Sequence, residues 1–340
     1  MIMKFKRLYR SSIKLSLIGQ GTDQFGNKNW GYGRFYNDAD IEQIIDACLD
    51  NGINFFDTGE LYGYGISEKL LGRCLSKYSR DEYYLISKVP PWNLRYNDVV
   101  KTLNSSLKRL KTSYIDFFLV HHPNPFIPMK ETFRAFEYLK KKGRISHIGV
   151  SNFNKYFLQK AMDVLKSDEI ALNEIEYNIF CRDAEKRILP FCFKNKIDVV
   201  AYSPLAGGLL TGKYDENNLP RDRSRKFNLY NNKEYFIKHK PLFNVLNILA
   251  NKYGVTIPEV VLSFITSKNI IAIPASLSKN ELLTNIKSVK LSLSSSDIEM
   301  VNQYSNVDLL KHHFDHKILR PIGWMYQGFR KQFGLAKYQT

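Results

Sequence analysis

Short apolar runs alternate with amphipathic segments along most of the chain. Eight of these runs are predicted strands: Leu15–Ile18, Ile53–Phe56, Tyr83–Ile86, Ile115–Val120, Ile148–Val150, Ile170–Ile175, Ile197–Ala201 and Ile270–Ile273. Between the first two, Ile41, Ile44, Ile45 and Cys48 recur at the spacing of one helical face, and Gly52 follows as a helix-ending residue. Continuous apolar strands separated by one-sided helices are typical of a parallel sheet covered by helices.

Eight strand–helix units predict one α/β domain, a (β/α)8 TIM barrel, over residues 1–305. An open doubly wound sheet is the alternative architecture. Such a sheet would have a Gly-x-Gly-x-x-Gly run after its first strand, with a helix following at once. The run from Gly19 to Thr22 lacks the third glycine and that helix, so the barrel is favoured.

Two segments lie outside the repeating units. Residues 212–235 are polar and basic and form a long loop after strand 7 of the predicted barrel. A loop at this place would overhang the mouth of the barrel, where lids and cofactor clamps occur. Residues 306–340 are a C-terminal extension of the same domain, rich in His, Phe and Arg. The extension would dock beside the active site or on a partner subunit, and the sequence does not distinguish the two.

Polar side chains stand near the ends of three successive predicted strands. Asp57 follows the second strand, Lys88 the third and His121 the fourth, and Tyr62 comes five residues after Asp57 on a glycine-rich turn. The C-terminal ends of parallel strands meet at one mouth of a barrel, so these four groups should converge there. Together they can donate a proton to a carbonyl oxygen. Singly, each also has a structural reading, as an ion pair, a turn aromatic or a core histidine.

The charge of the chain bears on its partners. The 340 residues, 44% of them apolar, carry a formal charge of +17, which could attract nucleic acid or an anionic cofactor. Dense basic clusters occur only at Lys140–Lys142 and Arg221–Lys226, and neither is interleaved with stacking aromatic residues. A lysine-rich solvated surface is therefore the favoured interpretation, and no nucleic-acid partner is expected.

The compartment is indicated by the apolar runs and the cysteines. No apolar stretch approaches the length of a bilayer span, and residues 1–6 lack the apolar core of a signal peptide. We therefore expect a cytoplasmic protein with no membrane partner. The four cysteines have no metal-ligand spacing, so we expect reduced, mostly buried thiols and no metal site: Cys48, Cys74, Cys181 and Cys192.

The order of Asp57, Tyr62, Lys88 and His121 resembles the catalytic tetrad of the aldo-keto reductase family. Further runs carry the resemblance from about Phe5 to about Leu293: Asp57–Gly63, Tyr114–Pro123, Ile148–Phe153 and Ala201–Leu205. It implies an NAD(P)-dependent oxidoreductase acting on CH–OH groups, which reduces an aldehyde or ketone or oxidises the corresponding alcohol. Tyr62 would be the proton donor, and His121 would hold the carbonyl oxygen. Lys88, oriented by Asp57, would lower the pKa of the phenol.

The resemblance implies a nicotinamide dinucleotide, NADP(H) or NAD(H), as the source of hydride. Ser151, Asn152 and Glu174 would hold its carboxamide, and Tyr202 would stack on the nicotinamide ring. The other implied cofactor positions lie along the barrel mouth: Gly21, Thr22, Asp57, Ser203, Leu205, Gly207, Ser276, Glu281 and Asn285. The expected contacts of a small carbonyl or alcohol substrate are Trp30, Trp92, His121 and His122.

Several departures from the family pattern concern the cofactor. Glu174 stands where glutamine is usual, and a carboxylate cannot donate a hydrogen bond unless it is protonated. Ala275 and Glu281 stand where many NADPH-dependent members have cations. Since a carboxylate repels a 2′-phosphate, these changes should weaken NADPH binding. Lys279 or the Arg221–Lys226 cluster could restore a phosphate site, so the preference between NAD and NADP stays open.

A second function is compatible with the same barrel. Some members of the family serve as cofactor-binding regulatory or accessory subunits. The complete tetrad favours chemistry, whereas the altered cofactor positions and the aromatic, basic extension leave the regulatory alternative in place. The physiological substrate and the oligomeric state are not determined by the sequence.

Overall fold

The computed structural model describes residues 3–165, 169–220 and 232–305. Its centre is a sheet of eight parallel strands that pair in chain order from β3 to β10. These strands are β3 Gln20–Gly21, β4 Phe55–Asp57, β5 Tyr84–Val89, β6 Ile115–Val120, β7 Ile145–Ser151, β8 Ile170–Glu176, β9 Asp198–Tyr202 and β10 Ile271–Ile273.

The sheet closes into a barrel between its first and last strands. The Gly19 N–H donates to the Ala272 carbonyl at 2.9 Å, and the Ala272 N–H donates to the Leu17 carbonyl at 3.0 Å. Further along, Gly21 pairs with Ala275 in the same parallel sense. The predicted (β/α)8 barrel is therefore confirmed, and the open doubly wound sheet is excluded.

One predicted strand was assigned incorrectly. Residues Leu15–Ile18 were expected to form the first barrel strand, but Lys14–Ser16 is strand β2 of a separate antiparallel hairpin with β1, Phe5–Arg7. Of the predicted run, only Leu17 and Ile18 pair with β10. The first barrel strand is instead the short β3, which follows a few residues later. The other seven predicted strands overlap β4 to β10.

The hairpin closes the N-terminal end of the barrel. Leu8 and Leu15 are buried against side chains of the barrel interior, including Phe117. The Lys6 ammonium lies 2.9 Å from the Asp198 carboxylate, which stands at the beginning of β9. The burial of Leu15 accounts for the incorrect assignment, because a residue that plugs a barrel is as apolar as one in a barrel strand.

Helices connect the strands and end the described chain. Within the described residues they are α1 Asp38–Asp50, α2 Ile66–Leu75, α3 Tyr96–Leu110, α4 Met129–Lys141, α5 Lys155–Val164, α6 Ala184–Lys194, α7 Lys233–Lys238, α8 Lys240–Tyr253, α9 Ile257–Thr266, α10 Lys279–Lys287 and α11 Ser295–Tyr304. The longer helices bury an apolar stripe, as α3 does with Val99, Leu103, Leu107 and Leu110. Helix α1 begins at a capping box in which Asn37 is the N-cap, which satisfies backbone N–H groups of its first turn.

The two segments outside the repeat are described only in part. The loop after β9 continues through a 3-10 segment, Ala206–Thr211, and reaches α7, while the basic residues 221–231 lie outside the described residues. The C-terminal extension 306–340 also lies outside them, so the expectation about its docking stays a prediction. All four cysteines are buried and unbridged.

The apolar helices bear on the expectation of no membrane partner. In the described ranges, no single helix has the length and apolar character needed to cross a bilayer. The pair α8 and α9, bent by 95° where they meet, passes the same test when taken together, by length and composition only.

Candidate active site

Neighbouring strands bring the predicted polar groups to one mouth of the barrel. Asp57 is the last residue of β4, Lys88 is the penultimate residue of β5, and His121 directly follows β6. The three strands are adjacent and parallel, so their C-terminal ends lie side by side. Catalytic groups of (β/α)8 barrels are found at this mouth.

Lys88 is the centre of the cluster. Its ammonium donates to both carboxylate oxygens of Asp57 at 2.7 and 2.6 Å, and to the Thr58 carbonyl at 2.9 Å. It also donates to the Tyr62 hydroxyl at 3.0 Å, and the Glu174 carboxyl lies 3.3 Å away. Lys88, Asp57 and Glu174 are all buried. One buried lysine therefore faces two carboxyl groups and a phenol.

Tyr62 is presented by a tight turn that leads into α2. The turn, Tyr62–Gly65, has left-handed backbone conformations at Gly63, Tyr64 and Gly65. Gly65 has a φ of 86°, and a Cβ there would lie 2.7 Å from the side chain of Arg109. Glycine is therefore needed at this position for both conformation and space. The half-buried Tyr62 ring packs edge-on against His121, with ring centroids 5.7 Å apart.

The electrostatics of the cluster keep the phenol protonated. Burial raises the pKa of Tyr62 well above its usual value, and the carboxyls of Asp57 and Glu174 raise it further. The sequence suggested that Lys88 would lower this pKa. The difference arises mainly because the phenol is buried, and next because the nearby Asp57 carboxylate opposes the effect of the Lys88 charge. A protonated phenol at neutral pH is a proton donor.

Burial also acts on Lys88 and Glu174, in different ways. It lowers the pKa of Lys88, but Asp57 and Glu174 raise it by more, so the ammonium stays charged. For Glu174, burial and then the nearby Asp57 carboxylate raise the pKa well above the usual value, against the opposing effect of Lys88. The two carboxyls thus compete for one cation.

His121 is a neutral imidazole. Burial lowers the pKa of His121 well below its usual value, and His122 and Lys88 lower it further. The two histidine rings stack with centroids 5.4 Å apart. A neutral imidazole beside the Tyr62 ring can offer one N–H to a substrate oxygen.

Residues at the C-terminal ends of β7 and β9 meet at the same mouth. Asn152, held with a φ of 63°, donates through Nδ2 to the His121 carbonyl at 3.0 Å. Its Nδ2 lies 3.0 Å from His122 Nε2, and its Oδ1 accepts from the Tyr202 hydroxyl at 2.8 Å. Ser151, the last residue of β7, is buried and lies in register with Glu174. The predicted residues Ser151, Asn152, Glu174 and Tyr202 are therefore brought next to the tetrad.

The chain beyond β9 has a backbone suited to an anion. Ser203, Ala206, Gly207 and Gly208 all have positive φ, from 50° to 95°. Such turns direct several backbone N–H groups to one side, which is a geometry found in anion sites. Leu205 lies within this segment. The Ala206 and Gly208 N–H groups already donate to the carbonyls of Ser203 and Leu205, so contact of this segment with a pyrophosphate stays a prediction.

The chain beyond β10 lies at the same mouth, beside the first barrel strand. Ser276 is buried and accepts a hydrogen bond from Asn285 Nδ2 at 3.1 Å. Glu281, in the first turn of α10, accepts from the Leu277 N–H at 2.9 Å. Its other oxygen lies 2.5 Å from the Lys213 ammonium. The charge of Glu281 is therefore partly offset.

Two residues of this region were missed in the sequence. Lys213 pairs with Glu281, and Gln24 donates to the carbonyls of Gly21 at 3.1 Å and of Ser276 at 3.2 Å, linking the first and last strands at the mouth. Lys213 is 68 positions from its partner, so no local pattern connects them. For Gln24, its place three residues after a predicted site glycine was the available signal.

The remaining predicted residues lie around the rim or below it. The Thr22 hydroxyl is buried and donates to the Asp57 carbonyl at 2.8 Å, beneath the cluster. The Trp30 indole donates to Asp23 at 3.2 Å, and Trp92 is half-buried on the segment after β5. The tryptophans are thus rim residues, outside the hydrogen-bonded cluster around Lys88.

Comparison with known proteins agrees with this geometry. The Aldo/keto reductase family model matches residues 17–306. Aldo-keto reductase YhdN of Bacillus subtilis is 32% identical over 265 residues, which are 74% of this chain and 78% of the relative. Methylglyoxal reductase YeaE of Escherichia coli is 28% identical over 299 residues, 87% of this chain and 93% of the relative.

A solved structure gives the same result for the fold. The thermostable aldo-keto reductase Tm1743, crystallised with the inhibitor epalrestat, has a TM-score of 0.75 at 30% identity. The match covers 89% of this chain and all of that one. The family model, a relative above 30% identity and the barrel with its four polar groups agree, and the chain therefore belongs to the aldo/keto reductase family of oxidoreductases.

Proposed function

We propose that this oxidoreductase reduces a small aldehyde or ketone to the alcohol, or catalyses the reverse oxidation, with Tyr62 as the proton donor. The observation that carries the proposal is the contact between the Tyr62 hydroxyl and the Lys88 ammonium, 3.0 Å, at the mouth of the barrel. A phenol hydrogen-bonded to a buried ammonium is equipped to release a proton and to be stabilised afterwards as phenolate.

The residues of the site have distinct parts in this reaction. Tyr62 is protonated before the reaction because burial and the two carboxyls raise its pKa. As negative charge develops on the substrate oxygen, the phenol gives up its proton and the Lys88 ammonium stabilises the oxygen that remains. Asp57 keeps Lys88 charged and directed at the phenol. The neutral His121 imidazole donates to the substrate oxygen and orients it.

The residues around the mouth fit a nicotinamide dinucleotide, which supplies the hydride when bound. Asn152, Ser151 and Glu174 would hold the carboxamide, and Tyr202 would pack on the ring. The positive-φ segment of Ser203, Leu205 and Gly207 would bind the pyrophosphate. The rest of the dinucleotide would lie against residues at the first and last strands: Gly21, Thr22, Ser276, Glu281 and Asn285. The rim residues Trp30, Trp92 and His122 would contact the substrate.

We expect NADH to be accepted at least comparably to NADPH. Ala275 offers no charge, and Glu281 offers no hydrogen-bond donor to a 2′-phosphate. Lys213 offsets part of the Glu281 charge but is itself held by that carboxylate at 2.5 Å, with 58% of its side chain exposed. Exposed ion pairs of this kind are weak, so we expect Lys213 to add little to the affinity for a 2′-phosphate.

A steady-state assay tests the proposed function. The purified protein is given a panel of small aldehydes and ketones with NADPH and then with NADH, and cofactor oxidation is followed by absorbance. Sustained turnover with at least one carbonyl compound is expected. Tight cofactor binding without turnover on any member of the panel would contradict the proposal.

That contrary outcome would favour the second candidate, a cofactor-binding accessory subunit. Its support is a relative named as a probable voltage-gated potassium channel subunit beta of Oryza sativa, which is 27% identical over 312 residues. The buried Lys88–Asp57 pair beside Tyr62 is the reason to prefer catalysis, because an accessory role does not require a phenol that is hydrogen-bonded to a buried ammonium.

A further inference from the structure

We infer that Glu174 is a positioning residue of the site that carries a proton at neutral pH and shares it with Asp57, so that the Lys88 charge stays available to Tyr62. The inference rests on the proposed function for its catalytic meaning. The presence of the proton can be tested without any catalysis.

The first argument is a count of hydrogen-bond partners at Lys88. An ammonium has three N–H donors. Four acceptor oxygens already lie within 3.0 Å of Lys88 Nζ, two from Asp57 and one each from Thr58 and Tyr62. The Glu174 carboxyl is farther away, at 3.3 Å. An ionised Glu174 would therefore have no donor of its own from this lysine.

The second argument is the surroundings of Glu174. The side chain is 1% exposed, and among the described residues no second cation is paired with it. The titratable groups that face it are Asp57 of β4, Lys88 of β5 and Tyr62 of the turn after β4. The neighbouring strands β7 and β9 place Ser151 and Val200 in register with it, and neither titrates.

Together these surroundings favour one proton on the carboxyl pair. Two carboxyls that share a dry site with one cation cannot both be ionised without a large electrostatic penalty. Both carboxyls lie against the same Lys88 ammonium, at 2.6 and 3.3 Å, and a protonated Glu174 can donate a hydrogen bond to the Asp57 carboxylate. Lys88 binds Asp57 through both oxygens and more closely than it approaches Glu174, so the proton is assigned to Glu174. The proton belongs to the pair and resides mainly on Glu174.

The proton matters for Tyr62. An ionised Glu174 raises the pKa of the phenol and so weakens it as an acid. A neutral Glu174 removes that effect and donates a hydrogen bond to Asp57. In this state the site contains one carboxylate and one ammonium, and Lys88 is left to stabilise the phenolate that forms during the reaction.

The first test measures the proton through folding. Because the pKa of Glu174 is raised in the folded protein, its proton stabilises the fold at low pH, and this stabilisation is lost as pH rises towards the folded pKa. From about pH 5 to pH 8, the unfolding constant of the parent should rise relative to that of Glu174→Gln by up to about tenfold per pH unit. Equilibrium denaturation of both proteins at each pH gives this ratio. A ratio independent of pH would overturn the inference.

A matched control comes from Glu185. Burial raises the pKa of this carboxyl, but the hydrogen bonds that it accepts from Arg182 and Tyr177 and the charges of Arg182 and Lys268 together hold the pKa below its usual value. Glu185 is therefore ionised throughout the same pH range in the folded protein, and Glu185→Gln should give a ratio that does not change with pH. A ratio that changed equally in both variants would mean that the Glu174 result has a general cause, and it would overturn the assignment of the proton to Glu174.

The second test concerns the positioning role and uses two neutral replacements. Glu174→Gln keeps a donor towards Asp57, so at neutral pH and saturating cofactor its turnover should exceed that of Glu174→Leu. Glu174→Leu has no donor, and its turnover should fall at least about tenfold with the melting temperature checked in parallel. Equal turnover of Glu174→Leu and the parent would overturn the role, as would a glutamine variant as slow as the leucine one. If the parent itself had no turnover, the proposed function would fail, while the folding test would still decide where the proton is.

Discussion

At the scale of single residues, the chemistry depends on the Lys88 ammonium contacting both Asp57 and Tyr62. Its ammonium is bound on one side by Asp57 and touches the Tyr62 hydroxyl on the other. Removing either partner would change the charge felt by the phenol. The site is therefore most directly probed by changing Tyr62, which has the smallest structural role of the three.

Replacing Tyr62 by phenylalanine removes the proton donor and one oxygen atom. Turnover should fall by roughly a hundred-fold or more, because general acid catalysis contributes about that much. The fold and the cofactor affinity should stay nearly unchanged. Steady-state kinetics and cofactor titration measure the two effects separately.

Tyr64→Phe is the matched control, since it removes the same oxygen from a 60% exposed tyrosine in the same turn. Its turnover should be close to that of the parent. A Tyr62→Phe protein as active as the Tyr64→Phe protein would mean that Tyr62 is only a turn residue.

Charge reversal at Glu281 tests the cofactor preference. Glu281→Arg introduces a forked donor and releases Lys213 from its ion pair, so two cations could meet a 2′-phosphate. NADPH affinity should improve by about 1–3 kcal/mol, with little effect on NADH. Dissociation constants of both cofactors, measured by fluorescence titration, give the comparison.

Glu281→Gln separates charge from donors in this experiment. Glutamine removes the repulsion without adding a guanidinium group, so NADPH affinity should improve less than in the arginine variant. A parent protein with a large preference for NADPH that neither substitution alters would place the phosphate contact elsewhere. The Arg221–Lys226 cluster, outside the described residues, would then be the next segment to change.

The site residues at the ends of strands could be predicted from the sequence, because the end of a strand has a defined place in a barrel. Asp57, Lys88 and His121 all stand at or near the ends of parallel strands, so a barrel brings them together. The pairing of Lys213 with Glu281 was not predictable, because it depends on how a loop after β9 crosses to α10. The direction of the Tyr62 pKa also depends on the three-dimensional structure, first through the burial of the phenol and then through the approach of Asp57 and Glu174.

At the scale of elements, the turn before α2 connects the fold to the chemistry. It runs from Tyr62 to Gly65, and helix α2 begins at the next residue. The glycine-rich composition was visible in the sequence, but the left-handed geometry that aims Tyr62 at Lys88 was not. The missed β1–β2 hairpin has a similar cause, since the apolar residue Leu15 plugs the barrel instead of lining a strand of it.

Gly65→Ala should disturb this turn. The residue has a φ of 86°, and its new Cβ would press on the Arg109 side chain at 2.7 Å. The free energy of unfolding should fall by about 1–3 kcal/mol, and turnover should fall as well because Tyr62 moves with the turn. Urea denaturation and steady-state kinetics measure the two quantities.

Gly143→Ala provides the control for backbone strain. Gly143 also has a positive φ, 66°, but a Cβ there would meet no atom within 4 Å, and the residue lies just after α4, away from the mouth. It should lose stability to a smaller extent and keep its turnover. Equal loss of turnover in both variants would mean that strain alone, and not the placement of Tyr62, is responsible.

At the scale of the whole molecule, the barrel brings the tetrad and the segments proposed for the cofactor to one mouth. The tetrad lies at the ends of β4 to β6, and the segments suited to the dinucleotide follow β7 to β10 and return to β3 across the closure of the sheet. The alternation of strands and helices was sufficient to predict this architecture. The long loop and the C-terminal extension could not be placed, because their sequences lack that periodicity.

The central claim is that this barrel transfers hydride to a carbonyl carbon while Tyr62 protonates the oxygen. The most direct measurement supplies the protein with NADPH or NADH that carries deuterium at the transferred position, together with a reducible aldehyde or ketone. Mass spectrometry of the alcohol should find deuterium on the carbinol carbon, formed roughly a hundred-fold or more slowly by Tyr62→Phe. A protein that binds the cofactor but forms no deuterated alcohol from any carbonyl compound tested would contradict the account.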